Sequence, residues 1–263
     1  MNIDQTQNDL LAAIANGLKN DEFKMYLQFI VDNKTKEIIS AEALSRWESA
    51  DNELIMPGKY IGAMEKSGMI MQLDYQIFEK VCRKLGEWVG TEFSNVSISC
   101  NFTRLTISEA DFVKRINEIA GRYSFDRSKL IMEITEDSVE RNLDVAKDNL
   151  WAVKELGFTI SLDDIGSGYM SLRNICDYPI DQVKIDRAML LLTDTERGKK
   201  RFHGIVSLMH FLDLKIVCEG VETEEQNTFV SSSNCDYIQG WYYSVALSEW
   251  KAEVFANEYM SRL

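Results

Sequence analysis

The segment LIMEITEDSVERNLDVAKDNLWAVKELGFTISLDD, residues 130–164, decides the fold. It opens on a short apolar run at 130–134 and closes on another at 158–163, while LDVAKDNLWAVKELG between them repeats its apolar residues at the helical period. Gly157 stands where that helix must stop. Two strands joined through a helix imply a parallel pair, because a crossover of that length carries the chain back to its starting edge. Each of the two strands ends on acid, the first at Glu133 and the second at the doubled Asp163–Asp164.

The same unit recurs in both directions. β-branched runs occupy 24–31, 38–44, 96–101, 182–185, 215–218 and 236–239, and helical periodicity fills most gaps, most clearly in LDYQIFEKVCRKLGEWV at 73–89. DFVKRINEIAGRY and KRFHGIVSLMHFLDL follow the same rule. Ser108 is a candidate cap for the helix through Phe112, and Thr223 with Gln226 has capping-box spacing. Eight such strands within 263 residues imply an α/β fold closed as a (β/α)8 barrel. A doubly wound open sheet is the main rival, but no G-x-G-x-x-G follows the first strand. Leu10, Leu11, Ile14 and Leu18 at helical spacing predict an extra amphipathic helix in front. The expected organisation is therefore a helical lead-in over 1–20 and one barrel over 21–263, with no Pro- or Ser-rich linker.

Composition narrows the chemistry. Lysine and arginine number 29 against 42 acidic residues, a net charge of −13, so duplex nucleic acid and anionic membranes are poor partners. No apolar run approaches the roughly 20 residues of a membrane span, and the N-terminus lacks the pattern of an export signal. Five scattered cysteines without a C-x-x-C pair suit reduced thiols, hence an expected cytoplasmic location. With only His203 and His210 available, a histidine-built zinc site or a serine–histidine triad is close to excluded.

The strand ends carry the functional signal. Glu42, Asn101, Glu133, Asp163–Asp164, Lys184, Glu219 and Gln239 each follow or close one of the eight apolar runs. Parallel strands bring their C-terminal ends to one face of a barrel, where active sites of this architecture sit. Taken singly, an aspartate there caps the next helix, and Glu222 or Glu136 serves a helix N-terminus electrostatically. Taken together, so many charges after hydrophobic strands are costly unless paired or bound to a cation. Oxygen donors without histidine or thiolate suit hard cations such as Mg²⁺ or Mn²⁺. A doubled aspartate can serve two ions, and two ions about 3.5–4 Å apart suit in-line attack on a phosphodiester, with Lys184 as a point charge. A barrel that enolises a carboxylate would combine the same groups.

The motifs AEALSRW (Glu42 to Arg46), SCNFT, MEITED, LDDIGSGYMSL, VKID, CEGVET and YIQGW stand in one order along 22–250. In that series the chain resembles the EAL domain family, bacterial phosphodiesterases that hydrolyse cyclic di-GMP to linear pGpG. The resemblance implies a modified TIM barrel whose first strand runs antiparallel, two Mg²⁺ or Mn²⁺ ions, and a homodimer; Ca²⁺, larger and looser in its coordination, is expected to occupy the site yet suppress turnover. It assigns Glu42, Asn101, Glu133 and Asp163 to the first metal, Asp163 being shared, and Asp164 to the second. Lys184 and Glu219 would position and activate the water, Glu219 also being a metal-site ligand. Glu222 and Gln239 would support the site, Gln28 and Arg46 would contact substrate, and Glu136 would anchor the loop DDIGSGYMSL. Phe29, Ile165, Ser167, Met170 and Val245 depart from the family pattern, but no assigned ligand does. A cyclic di-GMP receptor with weak catalysis is the alternative reading.

Overall fold

The computed structural model describes residues 3–135, 144–166 and 172–263. Glu136, Ser167 and Met170, which the sequence singles out, lie outside them.

Eight strands close a barrel: β1 (Phe23–Asp32), β2 (Ile38–Glu48), β4 (Ser97–Asn101), β5 (Leu130–Thr135), β6 (Thr159–Ile165), β7 (Gln182–Ile185), β8 (Lys215–Cys218) and β9 (Tyr237–Gln239). The short β3 (Leu54–Ile55) and β10 (Leu247–Ser248) extend β2 and β1 as antiparallel edges. Every neighbour pair from β2 through β4 to β9 is parallel, whereas β1 runs antiparallel to both β2 and β9. The parallel strands are enclosed on both faces: all of β7 and all of β5 except Thr135 is buried, including the site residues Lys184 and Glu133.

The reversal of β1 decides what reaches the mouth of the barrel. Its first half, rather than its end, lies at the C-terminal rim of the other strands. Lys24, Tyr26 and Gln28 pair with Arg46, Leu44 and Glu42 in turn, and directly opposed residues of an antiparallel ladder share one face. β2 therefore continues past Glu42 to Glu48, supported by β1, instead of ending at the acid. The alternate residues Phe23, Met25, Leu27, Phe29 and Val31 are buried against the outer layer. Phe29 stacks on Phe255 of the Glu249–Met260 helix, ring centroids 5.9 Å apart.

The outer helices bury one stripe each. The Ile70–Trp88 helix lays Leu73, Ile77, Val81, Leu85 and Trp88 inward. Phe78 on the same helix packs edge-on against Phe102 and Phe158. Lys84, also buried, crosses to Glu253 (3.0 Å) and Glu249 (3.1 Å) and ties this helix to the last one. The Ile3–Lys19 helix sends Ile14 and Leu18 into the same continuous core, and Gln76 Nε2 donates to its Leu18 carbonyl at 2.9 Å.

Local signals fared unevenly. Thr223 and Gln226 form both halves of the capping box at Glu224–Ser232. Gly157, at φ 97°, turns the chain after the Asp144–Glu155 helix. Ser108 does not cap the helix through Phe112: it closes the C-terminus of a short helix, Arg104–Ile107, that precedes it. The Phe112–Ala120 helix starts after Asp111 without a side-chain cap. All five cysteines are free thiols. Among the described residues no helix is long and apolar enough to cross a membrane.

Candidate active site

The barrel mouth centres on a buried lysine. Lys184, in β7, is 1% exposed, and its ammonium meets four carboxylates, three within other strands and one, Glu219, directly after β8. They are Glu219 Oε1 at 2.6 Å, Glu42 Oε2 at 3.0 Å, Glu133 Oε2 at 3.1 Å and Asp163 Oδ1 at 3.5 Å. Glu42 is fixed further by Gln239 Nε2 (2.7 Å) and Asn101 Nδ2 (3.0 Å), each donating to a different carboxylate oxygen. Gln28 donates to the Ser244 carbonyl at 2.9 Å and accepts from Gln239 at 3.5 Å, so it joins the edge of the network.

One cation cannot balance this much negative charge. Burial pushes Glu133 well above the usual carboxylate range, opposed by Lys184 and reinforced by Glu42, Asp163 and Glu219. Glu219 rises to about 8 for the same reason, with Lys184 again opposing. Burial also favours neutral Glu42, but there Lys184 and the donors Gln239 and Asn101 win and hold its carboxyl low. Burial disfavours the Lys184 ammonium, yet Asp163, Glu133, Glu219 and Glu42 keep it well above the ordinary lysine range.

The doubled aspartate occupies a break in the ladder. β6 pairs with β7 in register at Leu162 opposite Val183, and then again at Ile165 opposite Ile185. Two residues, Asp163 and Asp164, thus face the one residue Lys184, which is a β-bulge. Asp164 takes a left-handed backbone, φ 62°, and its amide donates to Asp163 Oδ1 at 2.8 Å. In an unbroken strand the two side chains would point to opposite faces. The bulge brings both to one: oxygens of Asp163, Asp164 and Glu219 lie within 4.8 Å of one another.

The donor set fits a hard divalent cation. These three carboxylates approach the spacing of oxygens around one small ion, at most about 4 Å apart for Mg²⁺. Glu133 Oε1 is buried without a hydrogen-bond partner, an orphaned acceptor that an ion or its water would satisfy. Beside the cluster opens a cavity of about 680 Å³, within the range of ligand sites, whose wall includes Ser45, Asn101, Asp74, Thr103 and Arg104.

The remaining sequence candidates lie farther out. Arg46 Nη1 donates to the Ser45 carbonyl at 2.9 Å, and its guanidinium is 5.9 Å from the centre of the Tyr26 ring. Glu222 pairs with Arg187 Nη2 at 2.7 Å on the rim and makes no ion pair with Lys184. Asp74 and Arg187 escaped the sequence reading. Asp74 accepts from Thr103 N (3.0 Å), Thr103 Oγ1 (2.9 Å) and Thr106 Oγ1 (2.5 Å), which holds the chain just beyond Asn101. A signal for it existed: an acid on the apolar stripe of 73–89, in line with Ile77 and Val81. His203 packs against Phe229, and His210 Nε2 hydrogen-bonds the Asp236 carboxylate at 2.9 Å.

Residues 8–246 match the EAL domain family, and the chain belongs to it. MucR of Pseudomonas aeruginosa, a bifunctional diguanylate cyclase/cyclic di-GMP phosphodiesterase, is 33% identical over 239 residues, covering 90% of this chain and 35% of MucR. NbdA of the same organism, a cyclic di-GMP phosphodiesterase, is 31% identical over 245 residues, 92% of this chain and 31% of NbdA. The chain thus spans about a third of the length of these relatives. The solved MucR phosphodiesterase in its c-di-GMP complex superimposes with a TM-score of 0.87 at 31% identity, over 93% of this chain and 99% of that one.

Proposed function

We propose that this chain is a metal-dependent phosphodiesterase that hydrolyses cyclic di-GMP to linear pGpG. The observation that carries the reading is the Lys184 cluster: four carboxylates converge on one ammonium, with Asp164 turned toward them by the bulge. Likeness to the MucR phosphodiesterase supports the choice of substrate.

In this reading Glu42, Asn101, Glu133 and Asp163 would hold one Mg²⁺ or Mn²⁺, and Asp164 together with Asp163 would hold a second. Glu219 completes the set. When bound, such ions lend positive charge to the phosphoryl oxygens and lower the pKa of water. The chain's own groups then carry out the displacement. Lys184, held protonated, orients the attacking water and offsets charge that builds on the phosphate. Glu219, whose buried carboxylate has a raised proton affinity, takes the water's proton as the new P–O bond forms. The P–O3′ bond breaks, and the departing 3′-oxygen is reprotonated from solvent or from the acid formed at Glu219. Gln239 and Asn101 keep Glu42 oriented. Gln28 and Arg46 hold the substrate, Arg46 through a phosphate, and Glu222 supports the rim through Arg187. Two chains associate as a homodimer.

Two departures from the family pattern are side chains packed into the core, which favours the enzyme over a weakly catalytic receptor. Phe29 faces Phe255 outside the barrel, and the Ile165 side chain is fully buried. The deciding assay incubates purified protein with cyclic di-GMP and Mn²⁺ and resolves the nucleotides by chromatography. The reading requires pGpG from wild type and almost none from Glu42→Ala; tight binding of cyclic di-GMP without pGpG would establish the receptor instead. Light scattering with and without substrate tests the dimer.

A further inference from the structure

Two turns that follow the clustered carboxylates are built on glycine in the left-handed region. Gly166, at φ 100°, comes two residues after Asp164, and Gly220, at φ 67°, directly follows Glu219. Both are covered by the short Arg187–Leu191 helix that follows the strand of Lys184. A Cβ added to Gly166 would lie 2.2 Å from Met189 Cγ and 2.8 Å from its Sδ. One added to Gly220 would lie 2.5 Å from both Cβ and Cγ of Arg187. Two side chains of one helix therefore rest on the bare α-carbons behind carboxylates from β6 and from β8.

The helix is itself well seated. Asp186 accepts from the Ala188 amide at 2.7 Å and donates its own amide to the Ile165 carbonyl at 3.2 Å. Leu190 is buried, and Arg187 is braced by Glu222 at 2.7 Å. The amide of Glu219 donates to the Ile185 carbonyl at 3.0 Å, so the ends of β6, β7 and β8 are linked through this one corner. Asp164 needs such support, since a non-glycine residue at φ 62° is strained and persists only where its surroundings hold it.

We infer that Arg187 and Met189 are positioning residues for the cation site: by seating Gly220 and Gly166 they fix how far Glu219 stands from Asp163 and Asp164. The inference rests on the reading of these carboxylates as ligands of a divalent metal. Neither side chain is assigned to ion or substrate; each acts through a glycine. Filling either glycine would displace the covering side chain, and trimming that side chain would free the turn.

The test measures Mn²⁺ affinity of metal-free protein by calorimetry, without substrate, with near-ultraviolet circular dichroism to verify the fold. Met189→Ala is expected to weaken Mn²⁺ binding about tenfold, the size typical of groups that orient metal ligands. Met189→Leu, of similar volume, should recover affinity to within about threefold. Arg187→Ala should weaken binding likewise, and Arg187→Lys, which keeps methylenes over Gly220 and a charge for Glu222, should restore it. Arg187 is exposed, so this second pair decides the matter if Met189→Ala does not fold. Wild-type affinity in either folded alanine variant removes that residue from the role, and loss that leucine or lysine fails to restore overturns it as well. A wild-type protein that binds no Mn²⁺ overturns the proposed function instead, so the two failures are distinct.

Discussion

Lys184 Nζ lies 2.6 Å from Glu219 Oε1, the shortest of its four carboxylate contacts, and both groups sit at the ends of adjacent parallel strands. The pair marks the point where the cluster is most tightly neutralised. Replacing Lys184 by methionine leaves the acids without their shared counter-charge. Breaking a buried ionic network from one side costs about 3–5 kcal/mol. Lys184→Met should therefore lower the melting temperature of the metal-free protein and abolish turnover. Added Mn²⁺ should raise the variant's melting temperature by more than it raises that of wild type, because the ion replaces the missing charge. An equal or smaller shift in differential scanning fluorimetry would count against Lys184 as an internal cation.

Asp74 gives a pH signature. Burial lifts its carboxyl from 3.8 to about 6, opposed by hydrogen bonds from Thr106 and Thr103. A folded-state pKa above the unfolded one means the native state binds the proton more tightly. The favourable contribution is complete below about pH 4 and is lost as pH rises through about 6. Asp74→Asn cannot ionise, so its stability relative to wild type should improve by about 2 kcal/mol between pH 4 and pH 7. Urea denaturation of both proteins at the two pH values measures it, and a constant difference would contradict the assignment.

The leading helix is tested by a cavity. Ile14 is fully buried and belongs to the same core cluster as Phe23 and Trp47. Ile14→Ala should cost about 2–5 kcal/mol, as for other large core residues, and lower the cooperative unfolding midpoint of the whole protein. A midpoint unchanged from wild type would show that the helix folds independently of the barrel.

Ca²⁺ should bind without supporting hydrolysis. It prefers oxygens at 2.3–2.6 Å with six to eight ligands, against 2.0–2.1 Å and six for Mg²⁺. The expected result is thermal protection by Ca²⁺ together with inhibition of Mn²⁺-driven turnover, overcome by excess Mn²⁺. Equal turnover in both ions would contradict a site that depends on tight coordination.

Periodicity and strand-end polarity made the barrel legible, because each of the eight runs had to be apolar to be buried and polar only where it opens. The reversed β1 was not legible that way: a run such as FKMYLQFIV alternates alike in either direction, and only the family resemblance implied its sense. The same alternation hid β2's extension past Glu42, which depends on pairing with β1. The residues of the site were visible as a set, but their geometry was not. Nothing in LDDIG announces a bulge, since that requires the neighbouring strand's register. Glu222 stood beside CEG in the sequence, yet in space Arg187 claims it. Ser108 misled because a four-residue helix before it has almost no periodicity to read.

Under the proposed function, the bulge would make one bimetallic centre from Asp163 and Asp164. Its most direct test is a calorimetric titration of metal-free protein with Mn²⁺, repeated on Asp164→Asn. Wild type should bind two ions per chain, and the variant a single ion with loss of pGpG formation. No Mn²⁺ bound by wild type, or two ions still bound by Asp164→Asn, would contradict it.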